Sequence, residues 1–211
     1  MVVLMIDGRD KCLDEQLKIF KRIIYKNKKL VFLLKLIDDL DIANCYVGAG
    51  CINQTIFNYY HGYDIDYGIN DYDIVYYDND LSYEGEDKII KMITSKVNDD
   101  IKLDIKNQAR VHLWYYDKYG IKRKPYVSVE DAIGSWGATI TCVGVRIKDG
   151  RFYVYAPYGL NDIFNMVIRP VKYNSNKVFY EERCNKWKNK WYKLKIVSWE
   201  GDINESINNR G

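Results

Sequence analysis

From Asp14 to about Asp39 the apolar residues recur at helical spacing: Leu17, Phe20, Ile23 and Ile24, then Val31, Leu34 and Ile37. Steps of three and four keep one face apolar, so the stretch predicts two helices, with Asn27 as the break between them. Asn44-Cys-Tyr-Val-Gly predicts a short strand ended by glycine. Ile52 to His61 predicts a helix with Ile52, Ile56 and Tyr59 or Tyr60 on one side. Tyr72-Asp-Ile-Val-Tyr-Tyr, rich in β-branched and aromatic residues, predicts a second strand. Ser82 to Val97 predicts a helix, capped by Ser82, acidic in its first turn (Glu84, Glu86) and striped by Ile89, Ile90, Ile93 and Val97. Ile101 to Lys106 alternates as a third strand, with Lys102, Asp104 and Lys106 on one face. Gln108 to Tyr116 and Val129 to Trp136 read as helical, the latter behind a Ser128–Asp131 capping pair. Thr139 to Ile147 and Phe152 to Tyr155 read as strands joined at Lys148-Asp-Gly-Arg, a hairpin signal. Asn176 to Tyr192 predicts a basic helix, and Glu200 to Gly211 a frayed end.

Helices first, then strands alternating with helices, then a hairpin imply an α/β (α+β) fold: a mixed sheet flanked by helices. A chain of 211 residues has room for one sizeable core. No Pro/Gly/Ser linker interrupts it, and no period of 20 to 50 residues repeats. The expectation is a single domain over 1–211, with N-terminal helices in 1–43, a core in 44–170 and a basic C-terminal segment in 171–211.

A formal charge of +3 is too small to mark the whole surface for nucleic acid or membrane. The five cysteines are scattered and odd in number, which fits reduced thiols in a cytoplasm rather than a disulfide framework. The apolar runs Met1 to Ile6 and Leu30 to Leu34 are far shorter than the ~20 residues of a membrane span, and no signal peptide is legible. Twenty tyrosines stand out, and two accounts are open: A/T-rich codons, or an aromatic binding surface.

The chemistry concentrates in two places. Asp71 and Asp73, two apart at the start of a strand, share one face. Two adjacent carboxylates repel unless a cation sits between them, and Mg²⁺ takes one or two carboxylates plus phosphate oxygens. Upstream, Gly48-Ala49-Gly50 forms a glycine-bounded turn that feeds a helix, offering backbone N–H groups to phosphate. Asp104 on the third strand either reaches the same metal or is an exposed strand residue between two lysines. With only His61 and His112 in the chain, histidine zinc sites and Ser-His-Asp hydrolases have few parts. No P-loop and no G-x-G-x-x-G occurs.

The set Val47-Gly-Ala-Gly, His61-Gly62, Asn70-Asp-Tyr-Asp-Ile-Val-Tyr-Tyr-Asp78, Asp80-Leu-Ser-Tyr-Glu84, Lys106-Asn-Gln-Ala-Arg-Val-His-Leu-Trp114, Ala156-Pro-Tyr-Gly-Leu-Asn-Asp-Ile-Phe164 and Arg169-Pro170 covers more than half the chain. It resembles a bacterial family of small nucleotidyltransferase-like proteins within the DNA polymerase β-type nucleotidyltransferase superfamily. The resemblance implies a polymerase β palm-like sheet and metal-dependent transfer of a nucleoside monophosphate from a nucleoside triphosphate to an acceptor. It implies Asp71 and Asp73 as ligands of Mg²⁺ (or Mn²⁺), Asp104 as a third carboxylate, and Gly48 and Gly50 around the triphosphate. The serine that often follows glycine in the superfamily is absent here, where Ala49, Gly50 and Cys51 stand.

The block from Lys106 to His112 has two readings. Either Arg110 or Lys106 contacts the triphosphate, Asn107 and Gln108 contact base or sugar edges and His112 joins them, or Asn107 and Gln108 satisfy a strand-to-helix turn while Arg110 pairs with a carboxylate. The segment Val171 to Lys195, with eight Lys or Arg against two Glu and interleaved aromatics, is either an amphipathic helix docked on the core or a groove for single-stranded nucleic acid. The leading expectation is a nucleotidyltransferase whose acceptor is a small molecule, protein or RNA. The alternative is a catalytically inactive nucleotide-binding or RNA-associated module of the same fold.

Overall fold

A computed structural model describes residues 6–173 and 175–201. The two N-terminal helices are α1 (Leu13–Ile24) and α2 (Lys28–Asp39). Asn27 separates them as expected, and it does more than interrupt. Its Oδ1 accepts from Leu30 N at 3.2 Å, capping α2, and its Nδ2 donates to Thr55 Oγ1 at 3.0 Å. A capping oxygen satisfies one donor that the first turn leaves without a partner.

The central sheet runs β3-β2-β1-β4-β5. Its strands are β1 (Cys45–Gly48), β2 (Tyr72–Tyr76), β3 (Leu103–Asn107), β4 (Gly144–Lys148) and β5 (Arg151–Tyr155). β2 and β3 are parallel, joined through α4 (Tyr83–Thr94), and the other pairs are antiparallel, which makes the sheet mixed. The β4–β5 turn places Asp149 and Gly150 at φ 50° and 70°, the left-handed pair that a two-residue hairpin requires.

Strand alternation sorts the sheet into two unlike faces. Cys45, Val47, Tyr72, Ile74, Tyr76 and Ile105 point into the main core, together with Phe20, Leu33, Ile52 and Phe57 from α1, α2 and α3 (Gly50–His61). Tyr46 and Val75 point the other way, onto Val129 and Ile133 of α6 (Val129–Gly134). The expected Ser128 cap is present: Ser128 Oγ accepts from Asp131 N at 3.0 Å, and Asp131 Oδ2 accepts from Val127 N at 3.1 Å.

Two expectations change. Thr139 to Ile147 is not one strand, because Thr139–Thr141 is a 3₁₀ turn and β4 starts only at Gly144. Thr141 Oγ1 donates back to Ala138 O at 2.7 Å and Cys142 N to Thr139 O at 3.2 Å, so local bonds win over a ladder. Gln108 to Tyr116 is likewise split into a 3₁₀ turn (Gln108–Arg110) and α5 (Val111–Tyr119).

After α7 (Asn161–Asn165), a short parallel pair forms between β6 (Val167–Ile168) and β7 (Lys195–Ile196). It brackets the basic helix α8 (Lys177–Lys190). The frayed segment expected after Glu200 lies almost wholly outside the described residues. Among the described residues no helix is long and apolar enough to cross a membrane.

Candidate active site

Register builds the floor of the site. Gly144 pairs with Gly48, Gly48 with Asp73, and Asp73 with Asp104, so one row across four strands reads Gly, Gly, Asp, Asp. These positions lie on the face opposite the main core. The two glycines are needed for close approach. A Cβ on Gly48 would fall 2.8 Å from Val143 O and 3.1 Å from the Trp136 ring, and one on Gly144 would fall 2.8 Å from Ile133 Cδ1. Trp136 therefore lies against the floor beside the acids.

Above this row opens a cleft of about 460 Å³. Asp73, Asp104 and Lys106 line it from the sheet, Asp71 from just before β2, and Ala49, Gly50 and Gln54 from the start of α3. Trp114, Tyr115, Lys118 and Tyr119 reach it from α5, and Phe179, Arg183 and Trp187 from α8.

The carboxylates are short of positive charge. Burial pushes the Asp73 carboxyl up to about 7, and the negative charges of Asp71 and then Asp104 push the same way against Lys106 and Arg183. Asp104 accepts an ion pair from Lys106 Nζ, two residues along β3 on the same face. Among the described residues no group of three or more His, Cys, Asp or Glu side chains is assembled as a metal cage. Mg²⁺ does not need one: it usually binds one or two carboxylates and completes its shell with water and substrate phosphate. Hard oxygen donors, mutual repulsion and a proton held near neutral pH on Asp73 are what a divalent cation would relieve. Asp71 and Asp73 therefore fit such an ion.

The glycine turn bends through Ala49, not through its glycines. Ala49 has φ 56° and ψ −130°, a conformation favourable to glycine, while its N–H donates to Val143 O at 3.0 Å. This kink lets α3 begin at Gly50 with its N-terminal end in the cleft. Cys51 turns inward, its Sγ 3.1 Å from Gly48 O, and burial together with Asp73 raises its thiol pKa well above the ordinary value. It is held as a protonated structural thiol.

Of the nucleotide contacts expected in the Lys106–His112 block, the structure brings Lys106 to the cleft and directs Asn107 and Arg110 elsewhere. Asn107 is buried, and its amide is fully engaged. Oδ1 accepts from Asp78 N and Ala109 N, each at 3.1 Å, and Nδ2 donates to Asp78 O at 2.9 Å and Asp80 O at 3.1 Å. Arg110 pairs with Glu86 of α4, and its Nε donates to Leu81 O at 3.1 Å. Both clamp the β2–α4 loop. His112 does not line the cleft, whereas Gln108 does. Gly48 serves the site through packing, and Gly50 through its place in the wall.

The sequence offered α8 as a docked helix or a groove, but not that α5 and α8 wall the cleft that holds the acids. Phe179, Arg183 and Trp187 stand at i, i+4 and i+8, and Trp114/Lys118 and Tyr115/Tyr119 at i, i+4. Those spacings mark one helix face and were the available signal.

A family model described as nucleotidyltransferase matches residues 35–196. The chain belongs to that family. No curated protein sequence matches this nucleotidyltransferase. Among solved structures, it is similar to one titled as revealing a CCA-adding enzyme head domain, at 25% identity and TM-score 0.70, covering 86% of this chain and 95% of that one. It also shares its fold with a CCA-adding enzyme solved in complex with ATP, at 13% identity and TM-score 0.50. The match covers 84% of this chain and 42% of that enzyme, so the nucleotidyltransferase corresponds to less than half of it. The mixed sheet and its flanking helices are thus the fold of a nucleotidyltransferase head domain.

Proposed function

We propose that the protein transfers a nucleoside monophosphate from an NTP to an acceptor in an Mg²⁺-dependent reaction, at the cleft floored by Asp71, Asp73 and Asp104. The observation that carries this is the cross-strand row Gly48–Asp73–Asp104, which sets electron-poor backbone and charge-starved carboxylates side by side. Asp71 and Asp73 would hold the ion, which supplies neutralisation of phosphate charge and polarisation of the phosphoryl oxygens. The backbone N–H groups at Gly50 and Cys51 take the phosphate tail, and Lys106 turns from Asp104 toward it. Asp104 then orients the acceptor hydroxyl and receives its proton. The new P–O bond forms at the α-phosphorus while the bond to the β-phosphate oxygen breaks, releasing pyrophosphate. Positioning and charge neutralisation supply most of the acceleration.

ATP is the first donor to test, because the CCA-adding neighbour was solved with it. The acceptor class stays open between small molecule, protein and RNA. Five free cysteines, four of them buried, support a reducing cytoplasm.

The decisive experiment incubates the protein with each α-labelled NTP and Mg²⁺, following label transfer and pyrophosphate release. Both are expected in the parent, and neither in the double variant Asp71→Asn/Asp73→Asn or in excess EDTA. Pyrophosphate release that persists in the double variant overturns the assignment. Calorimetric NTP binding with no release in the parent selects the non-catalytic alternative.

A further inference from the structure

A triphosphate brings several negative charges into the cleft, and the floor is itself acidic, so a protein cation has to meet it. Most basic side chains around the cleft already have company. Lys106, which the proposed reaction draws toward the phosphate tail, starts paired with Asp104. Arg123 holds the Tyr126 hydroxyl and lies 3.7 Å from the Tyr115 ring centre. Lys118, near the end of α5, lies over Trp114 and Tyr119 at 5.7 and 5.2 Å.

Arg183 differs. Its guanidinium lies 5.9 Å from the Trp187 ring centre, and among the described residues no carboxylate or hydrogen-bond acceptor engages it. Yet the helix that carries it is firmly anchored. Tyr180 OH shares its one proton between Ile168 O at 3.0 Å and Val197 O at 2.6 Å. Just past the helix, Trp191 Nε1 donates to Asn58 Oδ1 at 2.7 Å. Arg183 is exposed, so water can solvate its charge, and the anchored helix sets that charge on the lining of the cleft with its hydrogen-bonding edge open to an anion.

Gly137 supplies an independent observation. Its backbone lies outside the left-handed region, so conformation does not demand glycine there. Space does. A Cβ would fall 2.7 Å from Ser175 Oγ and 3.7 Å from the Arg183 guanidinium. The preceding residue, Trp136, is the ring that packs over Gly48 at the phosphate turn. Gly137 thus packs closely on Ser175, and both line one recess with Arg183 and with Ala49 and Gly50 at the start of α3. The positive charge of Arg183 is also felt at Asp73.

We propose that Arg183 is the triphosphate clamp of this nucleotidyltransferase, its planar fork taking the outer phosphate oxygens across the recess from the start of α3. The inference rests on the nucleotidyl-transfer reading and adds a residue from a helix that the acidic motif does not reach.

The test titrates inorganic tripolyphosphate, ATP and AMP, each with Mg²⁺, into the full chain and into Arg183→Gln and Arg183→Lys. Arg183→Gln is expected to weaken tripolyphosphate and ATP about tenfold or more while leaving AMP unchanged, and Arg183→Lys to fall between it and the parent. Parent-like tripolyphosphate binding by Arg183→Gln overturns the clamp, as does an equal loss of AMP and tripolyphosphate. A parent chain that binds no tripolyphosphate also overturns it. Arg183-dependent tripolyphosphate binding in a parent that transfers no label would sink nucleotidyl transfer and leave the clamp standing.

Discussion

The floor and the walls of the cleft are built on different principles. The floor is a product of strand register: Asp73 meets Asp104 because β2 and β3 pair in parallel, and it meets Gly48 because β1 pairs with β2. Alternation alone decides that these side chains share a face. The walls come from α5 and α8, which lie far apart in sequence and meet over the sheet, where Tyr119 and Phe179 touch ring to ring at 5.8 Å. The floor gathers like charges and is electrostatically costly without a cation. The walls gather aromatic and basic groups that are stable as they stand. In the proposed reaction the first would carry the chemistry and the second the grip on the ligand.

Changes in the floor should separate from changes in the walls. The largest expected effect is on turnover: Asp73→Asn lowers label transfer by about 10³-fold, read as initial rate at saturating NTP. A wall variant is expected to act first on KM. Next comes Trp191→Ala, which removes a fully buried ring and its bond to Asn58 at the root of α8. Denaturant unfolding should show a loss of about 3–5 kcal/mol, with the floor residues unchanged. Equal stability of this variant and the parent would mean that α8 is not anchored as described.

Asn107→Ala is expected to be a smaller, purely structural lesion. It leaves the Asp78 and Ala109 N–H groups without their acceptor and costs about 2 kcal/mol, while KM for NTP stays within twofold of the parent. A KM rise much larger than the stability loss explains would return Asn107 to the nucleotide site.

The smallest effect is on pH. Asp73 holds its proton up to about 7 in the folded state against 3.8 ordinarily. Between those values the folded chain carries the extra proton, so metal-free stability falls as pH rises through this window. Asp73→Asn should remove that slope and raise the metal-free Tm at pH 8 by about 4 °C, even as it destroys turnover. A parent Tm that climbs from pH 4 to pH 7, with the same slope in the variant, would show that Asp73 is not charge-starved.

The same division explains what the sequence made legible. Local pattern put Asp71 and Asp73 on one face, the Gly48–Gly50 turn in front of a helix, Asn27 at a helix break, and Ser82 and Ser128 at helix caps. Each depends on neighbours a few residues away, and each was readable. Asn107 and Arg110 were ambiguous because polar side chains can meet either a ligand or a loop. The β2–α4 loop that engages them lies about 25–30 residues upstream. Thr139 to Thr141 looked like strand by composition, but side-chain bonds to the preceding backbone turn it. Phe179, Arg183 and Trp187 carried a helical spacing, yet nothing local says that this face of α8 meets the acids of β2. Only the β6–β7 bracket and the Trp191 anchor do so.

The parallel pairing of β2 and β3 through α4 also sets how this sequence can drift. The turn before β3, residues 98–101, does not line the cleft, so a change in its length would fall on the Ile101 contact with the core and the Lys29–Asp100 ion pair rather than on the site. One residue gained or lost within β3 is a different event. It would send Ile105 into the cleft and bury Asp104 and Lys106 in the apolar core. Homologous chains should therefore vary more in the length of that turn than in the parity of the acidic strand.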